Sequence, residues 1–473
     1  MKVPKATAAF LLLAGCTVGP DYERPAMQAP ASWKETGPWK EAAPRDAIAK
    51  GSWWEVFGDP LLNDLEKRAS ANPDLRAAVA RVGQARAIAR LSESDFYPTV
   101  SLDPSVDRTR FSENRRVQPQ GLTKGYTANS FVVPLSVSYE VDLWGRVRRS
   151  VESGVALAEA SVAGFETVRL TLHADIASTY FALRSIDSDR AVLRKTLDLR
   201  RESLRLAAAR LRLGAGNDLD LSRAETELTT TEAEAIGLEK RRAELEHALA
   251  VLTGRSPSEL SIPDSPLDLQ PPAIPAGLPS DLLERRPDVS EAERRMAASN
   301  AQIGIATAAY YPNLTLTAGA GFESFELKSL FDWESRIWTL AASLAAPLYQ
   351  GGRVDADVAR ARAQYEESVE QYRGRLLLAF QEVEDGLAGL RILSSQAEAQ
   401  DHAVASSRRT ADLSNARYKA GLVSYFEVVD AERTALQSER TATQIRGQRL
   451  VTSVFLIKSL GGGWADSAIQ SKP

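Results

Sequence analysis

An internal duplication constrains this chain of 473 residues more than any other feature. Residues 72–98 and 286–312 share Pro-Asp near the start and Tyr-Pro at the end, at a constant offset of 214 residues. Further on, Gly145-Arg146 corresponds to Gly352-Arg353, and Gly214 corresponds to Gly421. The repeated unit, at about 200 residues, is far longer than a solenoid repeat, so we predict a duplicated domain.

Long stretches without proline follow in each half. They span 146–213, 218–252, 354–419 and 423–460, and residues that favour helices dominate them. At a rise of ~1.5 Å per residue, the first would form a helix about 100 Å long, more than a globular core needs. Leu193, Leu197 and Leu204 show the spacing of three and four residues that suits helices packed side by side.

Alternation of apolar and polar residues predicts four β-strands, two in each half. They lie at about 98–110, 131–143, 312–322 and 337–349. Each is long enough to cross a bilayer as a tilted strand, which takes ~9–11 residues. A half-buried hairpin on a soluble sheet is the commoner use of such a pattern. It fits poorly with one inserted hairpin per repeat and with the N-terminal signal described below.

Strand number then limits how the chain could cross a membrane. The mature sequence has no apolar helix of spanning length, so a crossing would need a closed barrel. A membrane barrel has at least about eight strands, so one chain with four cannot close one. Two chains would give eight strands and three would give twelve. The wider lumen of a trimer suits the small or polar inward residues Ser136, Ser138, Thr315 and Gly319. We therefore predict a mainly α fold with a membrane β-barrel formed by a homotrimer.

The single cysteine follows a short N-terminal apolar segment. Lys2 and Lys5 precede the apolar run Ala6–Ala14, which is too short to span a bilayer. Leu13-Ala14-Gly15-Cys16 matches the lipobox of bacterial lipoproteins, in which cleavage leaves the cysteine as a lipidated N-terminus. We expect a diacylglycerol and an N-acyl chain on Cys16, and Thr17 after it favours sorting to the outer membrane. The alternative is an ordinary signal peptide with a chance cysteine.

These patterns divide the chain into six predicted segments. They are a signal peptide at 1–15, a lipidated extended segment at 16–60, the first repeat at 61–255, a proline-rich connector at 256–287, the second repeat at 288–462 and a tail at 463–473.

Several motifs together resemble one family. They are Cys16-Thr-Val-Gly-Pro-Asp-Tyr22, Trp53-Trp54 through Asp59-Pro60-Leu61, Glu140 through Arg149, and Tyr418-Lys-Ala-Gly421-Leu422-Val423. The chain resembles the TolC-type outer-membrane factors of the OprM/NodT branch, which serve multidrug efflux. The resemblance implies a homotrimer in outer-membrane lipid with a twelve-stranded β-barrel and a long periplasmic α-helical barrel. It also implies a periplasmic adaptor and an inner-membrane pump of the resistance-nodulation-division type as partners.

The turns between the long helices are the predicted contacts with the adaptor. They lie at the far ends of the longest helices and would project deepest into the periplasm. The candidate residues are Leu213, Gly214 and Ala215 in the first turn and Ala420, Gly421, Leu422 and Val423 in the second. The alternative is that these residues only cap helices, because glycine adopts the left-handed conformation that ends a helix.

Two residues after the second turn are the predicted gate. Phe426 and Asp430 are four residues apart and so share one helix face. By resemblance, they match an apolar ring and an acidic ring at the periplasmic aperture, although relatives often have leucine at the apolar position. Arg417 or Arg433 is expected to pair with Asp430 in the closed state. The alternative is a solvated aspartate and a phenylalanine packed between helices.

Other classes of function have less support in the sequence. His173, His247 and His402 lie far apart in helical stretches, and we find no catalytic motif, so we predict neither an enzyme nor a metal site. The net charge of −4, with interspersed signs, argues against nucleic acid as a partner. A coiled-coil lipoprotein without a pore would lack the four strands. A duct for protein secretion or metal-cation efflux stays open, because the sequence does not name the substrate.

Overall fold

The computed structural model describes residues 17–25, 30, 32–35, 51–114, 125–272, 274 and 285–462. The predicted signal peptide, Cys16 and the tail at 463–473 lie outside these residues. Among the described residues, the chain forms two compact units. The first takes those within 1–25, 83–160 and 292–371, and the second takes those within 26–82, 161–291 and 372–473. Each unit draws on both repeats, and the predicted repeat boundaries stay a prediction.

Seven α-helices occupy the described residues, and they match in length between the repeats. They are α1 (Pro60–Arg68), α2 (Pro73–Ser94), α3 (Arg146–Arg212), α4 (Asp218–Leu252), α5 (Pro287–Ala308), α6 (Arg353–Lys419) and α7 (Tyr425–Ser459). Helices α3 and α6 have 67 residues each, and α4 and α7 have 35 each. No helix in the described part of the chain is both long enough and apolar enough to span a bilayer.

The first unit contains one antiparallel sheet. Its strands are β1 (Thr99–Leu102), β2 (Ser105–Arg110), β3 (Thr127–Val141), β4 (Asn313–Ser324) and β5 (Arg336–Ala345). Strands β1 and β2 both pair with β3, which pairs with β4, and β4 pairs with β5. The five strands therefore fill four positions, as the alternation predicted.

The strand limits differ from the predicted ones in two places. The predicted strand at 98–110 is interrupted between Leu102 and Ser105, because Pro104 has no N–H to donate to the ladder. The predicted strand at 337–349 ends at Ala345, before Pro347 and the left-handed Gly351 and Gly352.

Charged side chains fix the joint where β3 becomes α3. The Asp142 carboxylate accepts hydrogen bonds from the backbone N–H groups of Val147 (3.1 Å) and Arg148 (3.0 Å), which caps the helix. Arg146 donates two bonds of 2.7 Å to Glu140. The Trp144 indole donates to the carbonyl of Pro312 at 2.8 Å. This network explains the run of charged and aromatic residues at 140–149.

An N-terminal segment packs against the same joint. Thr17 lies so close to Gly145 that a Cβ on that glycine would approach the Thr17 Cα within 3.0 Å. The backbone N–H of Val18 donates to the Trp144 carbonyl (3.0 Å), and the buried Arg149 guanidinium donates to Asp21 (2.7 Å). The chain immediately after Cys16 is therefore tied to the start of α3.

The second unit has an aromatic core that includes Trp53 and Trp54. Trp54 stacks on His173 with ring centroids 4.3 Å apart, and the Nδ1 of His173 lies 2.6 Å from the carboxyl of the buried Glu66. Burial raises the pKa of Glu66 to about 9 and lowers the pKa of His173 to about 4. These opposite shifts favour the uncharged form of both groups, in which the Glu66 carboxyl O–H donates a hydrogen bond to the His173 ring.

Candidate channel gate and docking turns

The two turns between long helices have the same backbone geometry. We call residues 213–217 tip turn 1 and residues 420–424 tip turn 2. Gly214 and Gly421 are left-handed, with φ of 71° and 75°. The N–H after each glycine donates 2.9 Å to a carbonyl five residues earlier, at Arg210 and at Arg417. This is the Schellman arrangement, which supports the predicted capping role of both glycines.

Most of the predicted docking residues project into solvent. The exposed fraction is 83% for Leu213 and 70% for Leu422, and Ala215 and Ala420 are also exposed. Val423 is half-buried, because it packs against the cluster beneath the turns. The turns therefore present small and apolar groups, as the predicted docking surface requires.

A buried cluster holds the two tip turns together. It consists of Ala207, Ala224, Tyr418, Tyr425, Val428 and Val429. The rings of Tyr418 and Tyr425 lie 5.4 Å apart. The Arg210 guanidinium lies 4.6 Å from the centre of the Tyr418 ring and donates to the Tyr418 carbonyl at 3.1 Å. Residues from both repeats therefore share one small core below the turns.

The predicted gate residues lie on the exposed side of α7. Phe426 is 57% exposed, and the guanidinium of Arg223 lies 5.5 Å from its ring centre. Asp430 is exposed one turn further along. The alternative in which Phe426 packs between helices does not fit this protomer, whereas a solvated Asp430 does.

Arg417 and Arg433 are the two arginines predicted to pair with Asp430, and in this protomer one of them, Arg433, has a different acceptor. Arg433 instead donates to Glu227 of α4, which also accepts from Arg200 of α3. Arg433 prefers Glu227 because that carboxylate lies across the helix interface, where it is largely shielded from water.

A second carboxyl group lies in the same region. Glu432 accepts a hydrogen bond of 2.9 Å from the Asn415 amide. Burial is the main cause that raises its pKa, and the bond from Asn415 opposes the shift. Burial also raises the pKa of the nearby Tyr425 to about 12. The sequence analysis did not predict this polar cluster, since its residues come from four helices. They are Arg200, Glu227, Asn415, Glu432 and Arg433. The one available signal was the spacing of Glu227 and Glu234, seven residues apart like Arg433 and Arg440.

Comparison with known proteins decides the family. The profile of the outer membrane efflux protein family matches residues 65–255 and 278–462, which is most of the chain. The chain belongs to this family. Its members are TolC-type outer-membrane channels rather than enzymes, so the chain is the outer-membrane channel component of an efflux system and extends into the periplasm.

Individual relatives match nearly end to end. The chain is 33% identical to the pyoverdine export outer membrane protein OpmQ of Pseudomonas aeruginosa, covering 98% of this chain and 97% of the relative. It is 33% identical to the solvent efflux pump outer membrane protein SrpC of Pseudomonas putida, covering 97% and 98%. The solved outer-membrane channel OprN matches with a TM-score of 0.87 and 31% identity, covering 95% of this chain and all of that one.

Proposed function

We propose that three copies of this chain form a conduit that exports drugs or other small toxic molecules. The observation that carries the trimer is the sheet, which fills four positions and leaves β5 and the β1–β2 side without a further strand among the described residues. Open sheet edges are not stable in lipid, so neighbouring copies must pair them. Three copies give twelve strand positions, enough for a barrel with a water-filled lumen.

The exposed face of β5 supports the same assembly. Trp338, Leu340 and Leu344 alternate along the strand and are at least 65% exposed. Large apolar side chains in alternation are typical of the lipid-facing side of a membrane barrel. An isolated water-soluble sheet would not present such a row to solvent.

The partners in this proposal are a periplasmic adaptor and an inner-membrane pump of the resistance-nodulation-division type. The names of the two relatives specify pyoverdine and solvents. Both cargoes are small molecules, which favours small-molecule export over a duct for proteins. Metal-cation efflux is the remaining alternative.

Efflux and conductance measurements test the proposal together. Deleting the gene should raise the accumulation of dyes, drugs or solvents in cells, and the intact gene should restore efflux. Purified protein should form trimers that conduct ions in planar bilayers. A purified chain that forms no channel would overturn the proposal. If deletion of the gene lowers only the export of metal ions, the substrate is a metal cation and not a drug or solvent.

We further propose that Cys16 carries the lipid. Thr17, the residue after it, packs at the joint of β3 and α3, which would place the acyl chains beside the end of the sheet. Mass spectrometry of the N-terminal peptide should show a diacylglycerol and an N-acyl chain. An unmodified N-terminus at any other residue would reject lipidation.

The gate is proposed to consist of Phe426 and Asp430. Three-fold symmetry would bring three copies of each to the axis, where an acidic ring attracts cations and an apolar ring narrows the opening. Replacing both by alanine should raise single-channel conductance and weaken cation preference. Asp401→Ala is the matched control, because it removes an exposed carboxylate from α6. Unchanged conductance and selectivity in a trimeric double variant would place the gate elsewhere.

A further inference from the structure

The pairing register assigns every strand residue to one of the two faces of the sheet. Paired residues on adjacent strands lie on the same face, and successive residues along one strand alternate between the faces. Val106 of β2 pairs with Phe131 of β3. Val133 of β3 pairs with Phe322 of β4, which pairs with Arg336 of β5. The even-numbered residues of β1, β2, β4 and β5 therefore share one face with the odd-numbered residues of β3.

We call this shared face the outer face and the opposite one the inner face. The outer face includes Trp338, Leu340 and Leu344, the apolar row of β5 that faces lipid in the proposed barrel. The inner face includes Ser136 and Gly319, which pair with each other and were predicted to line the lumen. The register thus agrees with the alternation that the sequence shows.

The charged residues of the five strands divide between these faces by sign. The outer face has all the basic residues of the strands and none of the acidic ones, and the inner face has the reverse. The basic residues are Arg108, Arg110 and Arg336, and the acidic residues are Asp107, Glu140 and Glu323. Where the outer face is charged, it is therefore positive.

The three arginines lie towards the end of the sheet that is farther from the helices. Strands β1, β3, β4 and β5 connect to α2, α3, α5 and α6 at one end, and hairpin loops join the strands at the other. Arg110 is the last residue of β2, and Arg336 is the first residue of β5. Because the channel extends into the periplasm through its helices, the hairpin end is the one that reaches the outer leaflet of the membrane.

The guanidinium groups of these arginines have no carboxylate partner in the part of the chain that the structure describes. Arg108 and Arg110 are exposed and make no side-chain hydrogen bond or ion pair with the described residues. Arg336 donates its Nε–H to the Trp333 carbonyl and lies over the Trp333 ring, so its terminal nitrogens have no acceptor among the same residues. A lipid-facing arginine is least costly at the membrane surface, where an anionic head group can bind it.

Assembly would bring the arginines of β2 and of β5 to the same boundary between copies. These strands form the two edges of the sheet, so β5 of one copy meets the β1–β2 side of the next in the proposed trimer. We call this boundary the seam. Strand β5 contains no acidic residue, so it offers Arg108 and Arg110 no carboxylate across the seam. Each seam would be flanked by Arg108 and Arg110 of one copy and by Arg336 of the other.

We propose that each seam binds the phosphate groups of lipid A, the phosphorylated glycolipid of the outer leaflet. An arginine guanidinium fits a phosphate with two parallel hydrogen bonds. Trp338 lies two residues from Arg336 on the same face, where an aromatic ring suits the boundary between head groups and acyl chains. The inference rests on the proposed trimeric barrel and adds a lipid partner to it.

Native mass spectrometry of the purified full-length trimer, titrated with bisphosphorylated lipid A, tests the site. The double variant Arg108→Gln, Arg110→Gln should weaken lipid A binding about 25-fold, because each arginine near an anionic lipid contributes about a five-fold gain in affinity. Arg336→Gln should weaken it about five-fold for the same reason. Arg360→Gln is the matched control, because Arg360 is an exposed arginine of α6 in the same unit and pairs with Asp357 at 3.5 Å. The control should bind lipid A like the wild type.

Lipid A without its phosphates separates recognition of the head group from burial of the acyl chains. It should bind the wild type weakly, with no further loss in the arginine variants. Equal binding of both lipids by the wild type, or wild-type affinity for lipid A in conducting Arg108→Gln, Arg110→Gln trimers, would overturn the site while the channel stands. Less stable trimers with unchanged affinity for lipid A would assign the arginines to contacts between copies and would also overturn it. A wild-type chain that forms no trimer would overturn the proposed function and the lipid site with it.

Discussion

In the first repeat an amide joins the start of α2 to the end of α4, whereas in the second repeat a guanidinium joins the start of α5 to the end of α7. Asn72 donates to the Leu252 carbonyl at 2.9 Å, and Arg286 donates to the Ser459 carbonyl at 3.0 Å. The backbone at the two joints is the same. Gly254 and Gly461 are both left-handed, and a Cβ on either would lie 2.6 Å from a carbonyl oxygen of the facing loop. The repeats have therefore kept the chain path and changed the chemistry that fastens it.

The functional residues differ between the repeats in the same way. From α3 to the end of α4, and from α6 to the end of α7, the helix limits keep a constant offset of 207 residues. Asp430 then corresponds to Arg223, and Phe426 to Leu219. The tip turns match in backbone, yet only the second repeat supplies an acid at the candidate gate. The two repeats therefore share the backbone at the tip turns but differ in the side chains of the candidate gate.

The largest expected effect comes from charging the tip turns. Leu422→Glu and Leu213→Glu, which change one exposed leucine in each tip turn, should each abolish efflux, because a carboxylate replaces an apolar group of the proposed adaptor contact. Both leucines are exposed, so stability should change by no more than about 0.5 kcal/mol. Drug accumulation in cells measures the effect, and surface amounts of trimer provide the control. Normal efflux in either variant would leave that turn with a capping role alone.

The two helix joints, at Asn72 and at Arg286, should differ in how much stability the protein loses when the joining side chain is removed. Arg286→Ala removes the ion pairs to Asp288 and Glu382, leaves Asp288 with Arg375 at 3.9 Å, and should lower the free energy of unfolding by about 3 kcal/mol. Asn72→Ala removes a helix cap and should cost about 1–2 kcal/mol. Thermal unfolding of both trimers measures the contrast. Equal losses would mean that the ion pairs at Arg286 add nothing to the shared backbone joint.

A smaller expected effect is a dependence of stability on pH, which should arise in the first repeat and not in the second. At the offset of 207 residues, His173 corresponds to Phe380, whose ring lies 6.4 Å from Trp33. Only the first repeat therefore has an ionisable pair in this position. Because the folded chain holds the pKa of Glu66 at about 9, above its ordinary 4.5, the unfolded chain loses this proton first. The contribution of Glu66 to the free energy of unfolding therefore falls as the pH rises from 4.5 towards 9.

Two variants check this pH dependence. Glu66→Gln should flatten the alkaline decline, so that its melting temperature rises relative to wild type by a few degrees near pH 9. His173 has its pKa lowered from 6.5 to about 4, so its contribution is lost as pH falls through that range. The double variant Glu66→Leu, His173→Phe should remove both the alkaline and the acidic loss of stability. This position of the first repeat would then be as insensitive to pH as its counterpart in the second. Parallel pH profiles for wild type and Glu66→Gln would contradict the assignment.

The sequence predicted the long elements well and the contacts between them poorly. Runs without proline and the glycines at 214 and 421 set the helix ends, because those residues act through the local backbone. Alternation gave the four strand positions but missed the break at Pro104. The family and its channel function were confirmed by the comparisons, while the roles of the tip turns and gate residues stay predictions. Arg433, one of the two arginines predicted to pair with Asp430, binds Glu227, which is 206 residues away. Such a pairing depends on how helices rotate against one another, which local sequence does not encode.

The unpaired edges of the sheet have a genetic consequence. If each barrel needs three functional copies, a substitution that prevents β5 from pairing with the next copy also inactivates the normal copies in the same trimer. In a cell that makes both forms equally, only about one trimer in eight would contain normal chains alone. Edge substitutions should therefore be dominant, whereas variants that unfold before assembly should be recessive.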